Sequence, residues 1–109
     1  MIRSTVVGLV LLVGMAGVAS AQDTKAKGEA VFAAQKCSLC HAVAGKGNAK
    51  GALDEVGTKL KADEIRAWIN DAKGMTAKTS ATRKPEMKAY TLPKDDMDNL
   101  VAYLTTLKK

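Results

Sequence analysis

The residues best equipped for chemistry in this chain stand side by side: Cys37-Ser38-Leu39-Cys40-His41. The 109 residues include two Cys and one His, and all of them fall in this pentapeptide. Thiols at i and i+3 lie about one helical turn apart on one face. They can therefore reach the two vinyl groups on one edge of a porphyrin and form thioethers, and the next residue brings an imidazole beneath the iron. C-x-x-C-H is the attachment pattern of c-type haem. The rival chemistry is a C-x-x-C disulfide of thioredoxin type with a His beside it by chance. That reading needs a βαβ setting, and no segment here alternates as a strand does. One covalently attached haem c, with its iron, is the cofactor expected.

The elements that must position this motif read as all-α: three main helices and long loops around one haem. Asp23 or Thr24 can cap a first, Ala-rich helix running to about Cys37. Residues 44–58 are broken by Gly45, Gly47, Gly51 and Gly57 and read as loop. A second helix is expected from Ala62 or Asp63, with Ile65, Trp68 and Ile69 at i, i+3, i+4 and an end at Gly74. Residues 75–93 read as a polar loop with Pro85 and Pro93. The last helix repeats Met97, Leu100, Val101 and Leu104 on one face, with Asp95, Asp96 and Asp98 early and Lys108, Lys109 late, as the helix dipole favours.

One His on the iron leaves a sixth position, and with no second His a neutral thioether is the partner that favours ferrous iron and raises the potential. Met75, Met87 and Met97 are the candidates. Core packing accounts for Met97, which lies on the apolar face of the last helix. Met75 follows Gly74 and could turn inward or serve as a buried anchor. Met87, in Pro85-Glu86-Met87-Lys88-Ala89-Tyr90, lies on no periodic face.

With C-x-x-C-H near the start and this Met shortly before the last helix, residues 22–109 resemble the class I c-type cytochromes, small exported monohaem electron carriers. The resemblance implies that the first and last helices cross, with Gly28 and Phe32 meeting Tyr103. It implies Met87 as the second axial ligand, with Met75 as the alternative. It also implies Leu53 as a haem-packing aliphatic and Trp68 as either a propionate partner or a haem-packing ring. Two departures are visible. Lys88 stands where the family usually has Pro after the Met, and Ala52 stands where Gly-Pro is common. The Ala52 carbonyl is expected to accept the His41 ring N–H.

Composition fits this picture. Met1–Arg3 is a short cationic start, Val6 to Val18 is uncharged and largely apolar, and Ala19-Ser20-Ala21 matches a small-x-small cleavage site. Residues 1–21 are therefore expected to be a cleaved signal peptide, with an uncleaved anchor as the alternative, and 22–109 the working domain. Of the 37 apolar residues in that domain 15 are Ala, too few large side chains for a self-sufficient core. A porphyrin would supply the missing apolar mass, so the apoprotein is expected to be largely unfolded.

The domain carries +5 without a basic block and few aromatics, which argues against nucleic acid. The function expected is one-electron transfer by a soluble periplasmic monomer, not catalysis. Its expected partners are redox proteins with acidic faces, met transiently, and membranes only through membrane-bound redox complexes. The alternatives are a haem subunit of a dehydrogenase or reductase complex, or a gas-binding haem sensor with a labile Met ligand.

Overall fold

Ala has the highest helix propensity of any residue, and the Ala-rich stretch at the start forms a helix, α1 (Ala16–Ala34). The structure is a computed structural model that describes residues 16–108, with side chains from residue 23 onward. Of the expected leader, residues 1–15 lie outside the described residues. The helix stops at Ala34 rather than Cys37 because Lys36 adopts a left-handed conformation (φ 57°), which turns the chain into a separate 3₁₀ turn at Cys37–Leu39.

The expected loop at 44–58 contains more structure than its glycines suggest. Strands β1 (Ala42–Val43) and β2 (Lys46–Gly47) form a two-residue antiparallel hairpin. A 3₁₀ turn at Ala49–Gly51 and a single-turn helix, α2 (Val56–Lys59), follow. Helix α3 (Ala62–Asn70) begins where its periodicity placed it, with the Glu64 carboxylate accepting from the Lys61 N–H at 3.1 Å.

Gly74 does not end that helix. Asp71 ends α3 and caps a new one, α4 (Ala72–Thr79), by accepting from the Gly74 N–H. The cap outweighs the glycine because an Asp side chain satisfies an orphan N–H of the first turn. The polar loop thus starts at Ser80, not at 75. Helix α5 (Lys94–Thr105) follows Pro93 as its periodicity predicts.

The apolar stripe of α5 organises the packing. Leu100, Val101, Tyr103 and Leu104 are buried with Ile65 and Ile69 of α3, and Phe32 of α1 packs against that cluster. The α1 and α5 backbones touch at Gly28, where a Cβ would collide with the Asn99 carbonyl oxygen and the Tyr103 Cβ. The close approach brings the Phe32 and Tyr103 rings edge to face, with centroids 6.1 Å apart and planes at 72°, a favoured aromatic geometry. Helix α1 packs on α5 as the resemblance implied, and the described residues are all-α apart from the small hairpin. Faces of α3 and α5, together with the loops around them, line a cavity.

Candidate functional site

The turn Cys37–Leu39 is held by its own backbone: the Cys40 N–H and the His41 N–H both donate to the Cys37 carbonyl, at 3.1 and 2.9 Å. This presents Cys37, Cys40 and His41 along one wall of the cavity. The two thiols are free, not joined to each other. Burial pushes the Cys37 thiol up, against a backbone hydrogen bond that lowers it, and the neighbouring Cys40 adds to the rise.

His41 is half-buried, and its Nδ1 lies 2.9 Å from the Gly51 carbonyl oxygen. A carbonyl can only accept, so Nδ1 carries the proton and the neutral ring keeps a bare lone pair on Nε2. Burial also holds the imidazole below its usual pKa. The Gly51 carbonyl works the other way, and the Arg83 charge adds to the lowering. A neutral, oriented imidazole with one free nitrogen is the form that binds a metal.

The acceptor is Gly51, not Ala52 as expected. Ala52 pairs with Ala42 in a parallel bridge, with the Leu53 N–H donating to the Ala42 carbonyl at 2.8 Å. That pairing holds Ala52 beside the strand and leaves the carbonyl ending the 3₁₀ turn toward the ring. The orienting contact is therefore kept without the Gly-Pro sequence, one residue earlier.

Across the cavity runs the segment after α4. Met87 is half-buried and lines the cavity together with Pro85 and Tyr90. Met75 is buried in α4 and is not part of that lining, and Met97 packs into the α3–α5 core. Leu53 and Trp68 both line the cavity and are half-buried. The loop is tethered at two points: the Tyr90 N–H donates to the Ile69 carbonyl at 2.8 Å, and Arg83 Nη2 donates to the Cys40 carbonyl at 2.6 Å.

The cavity measures about 990 Å³, with Leu60, Ile65, Ile69, Leu100 and Leu104 among its walls. Pockets for organic ligands run from about 300 to 1,000 Å³, so this one suits a large planar group. Two thiols, a neutral imidazole and a thioether open into one apolar space, a donor set that fits haem c. Among the described residues there is no cluster of His, Cys, Asp and Glu arranged to hold a free metal ion.

A family model described as Cytochrome c matches residues 25–108. The chain belongs to the cytochrome c family. Neither a curated protein nor a solved structure matches it. Membership makes this cytochrome c a haem c protein of electron transfer and accounts for the apolar cavity in so small a core. No helix among the described residues is long and apolar enough to cross a membrane. Two contributors escaped the sequence reading. The Gly51 carbonyl is a backbone group with no residue signature. Arg83 stands beside Lys84 in a polar segment, and nothing in its spacing marks it.

Proposed function

We propose that this cytochrome c is an exported, soluble one-electron carrier in which Cys37 and Cys40 hold haem c through thioethers and His41 and Met87 are its axial ligands. The reading rests on one observation above the others: these residues line a single cavity, whereas Met75 and Met97 pack elsewhere. When bound, haem supplies the reversible gain and loss of one electron.

The chain's own residues do the rest. Gly51 fixes the His41 tautomer so that Nε2 is the donor atom. Met87 offers a neutral sulfur that favours the reduced state. Leu53 and Trp68 pack the group, and the buried stripe of α5 excludes water from its inner face. The outer edge is left open, with Cys40 exposed and Leu39 71% exposed beside it. At that edge a domain of net charge +5 would meet redox partners with acidic faces in brief, electrostatically steered encounters. It would work as a periplasmic monomer, after loss of residues 1–21, and touch membranes only through membrane-bound redox complexes.

A reduced-minus-oxidised spectrum with a redox titration tests the reading. A single reversible one-electron wave, with ferrous protein resistant to carbon monoxide, is expected. Rapid carbon monoxide binding by the native protein would instead point to a gas-binding role. Replacing both Cys37 and Cys40 with Ala should make the haem extractable by acidic acetone, and retention under those conditions would refute thioether attachment.

A further inference from the structure

Arg83 connects the two sides of the cavity. It reaches 43 positions back along the chain to donate to the Cys40 carbonyl. Its guanidinium also lies so close to Gly51 that a Cβ there would strike Nη1 and the same Cys40 carbonyl oxygen. Gly51 in turn supplies the carbonyl that orients His41. Met87 follows Arg83 by one short stretch of exposed loop, whose Lys84–Glu86 ion pair (2.8 Å) closes only within the loop. A contact at Arg83 therefore bears on both the Met87 loop and the His41 support.

We propose that Arg83 is a positioning residue that latches the Met87 loop to the Cys37–His41 segment and, through its fixed charge, favours the reduced state of the site. The inference rests on Met87 being the sixth ligand. The guanidinium suits the first task because its planar fork offers several fixed N–H donors and fits beside a residue without a Cβ, whereas an ammonium is a point donor. The second task follows from Coulomb's law: oxidation adds a positive charge at the iron, and a cation nearby opposes it. Arg83 is solvent-exposed, so added salt weakens the charge effect. The latch itself depends on geometry, and one conservative substitution separates the two tasks.

The test uses the haem-loaded protein with Arg83→Ala, Arg83→Lys and, as a control in the same loop, Lys84→Ala. Cyanide displacement of the sixth ligand from the ferric protein is followed through loss of the far-red sulfur-to-iron band. Both Arg83 variants should react about three- to tenfold faster than the parent, the span expected for one lost hydrogen bond, and Lys84→Ala should match the parent. The reduction potential should fall in Arg83→Ala and be largely restored in Arg83→Lys.

Unchanged cyanide rates in both Arg83 variants, or an equal acceleration in Lys84→Ala, would overturn the latch. An unchanged potential in Arg83→Ala would overturn the charge effect. If Arg83→Ala does not mature with haem, Arg83→Lys decides the latch and the neutral Arg83→Gln decides the charge effect by the same fall in potential. A parent protein without the far-red band would sink the Met87 ligation and the latch with it. A parent with the band but variants with parental rates would sink the latch alone.

Discussion

The crossing of α1 and α5 and the loop that carries Met87 are held together by opposite means. At the crossing, Gly28 lets two backbones touch, Phe32 meets Tyr103 edge to face, and the stripe Leu100, Val101, Leu104 is buried. That is packing: many weak contacts distributed over a surface, each buried aliphatic side chain contributing about 1.5–3 kcal/mol. The Met87 loop is largely exposed from Ser80 to Glu86 and is tied down by single hydrogen bonds at Arg83 and Tyr90. The crossing thus governs whether the domain holds together, and on the proposed ligation the loop governs what the iron would experience. Substitutions in the two regions should therefore register in different measurements.

The largest effect is expected at Met87. Met87→Ala should abolish the far-red band and lower the reduction potential while leaving haem attached and the helical circular dichroism intact. If Met75→Ala removes the band instead, the ligand lies in α4 and the contrast between the regions breaks down. Val101→Ala comes next, in the other region: Val101 is 3% exposed and does not line the cavity, and truncating such a core residue costs about 1–3 kcal/mol. Denaturant unfolding should register that loss with the band unchanged in the native state. Gly28→Val should cost about 1–3 kcal/mol by overpacking, and a parental melting temperature would mean that the helices do not approach as closely as described.

The smallest effect belongs to Asp98, which accepts from Arg66 and Lys94 at 2.8 Å each. The hydrogen bonds from Lys94 and Arg66 hold its carboxyl below its ordinary 3.8. A carboxylate whose folded pKa is depressed contributes stability above its unfolded value and loses it as pH falls through the folded one. The stability gap between the parent and Asp98→Asn should therefore be present above about pH 4 and close in more acidic solution. A gap that persists there, or one that added salt does not shrink, would rule out an electrostatic origin.

The same contrast explains what could be read beforehand. Helix α5 was legible because its apolar repeat and acidic first turn are written within one stretch of chain, and the crossing was legible only through the resemblance that pairs Gly28 and Phe32 with Tyr103. The motif at Cys37–His41 was legible for the same reason, since its members are neighbours in sequence. What escaped was decided by backbone conformation or by distant pairing. The left-handed turn at Lys36 that ends α1 early has no glycine to announce it. Helix α4 is hidden because Asp71 falls inside the apolar repeat of α3 and Gly74 resembles a helix stop. The choice of Gly51 over Ala52 depends on the bridge to Ala42, and Arg83 depends on a partner far away in the chain.

The bonds that shape the attachment turn have a consequence for timing. Leu39 bonds back to Lys36, Cys40 and His41 to Cys37, Asn48 to Ser38 and His41, and the His41 ring to Gly51. Apart from the Arg83 contact, all of these close within a short span of chain, and contacts of low sequence separation form quickly because little loop entropy opposes them. The thiols can thus be held apart and presented, with Cys40 exposed, before α5 has docked. Attachment of the cofactor to a locally made turn would then come before the docking of α5 and the fastening of the Met87 loop.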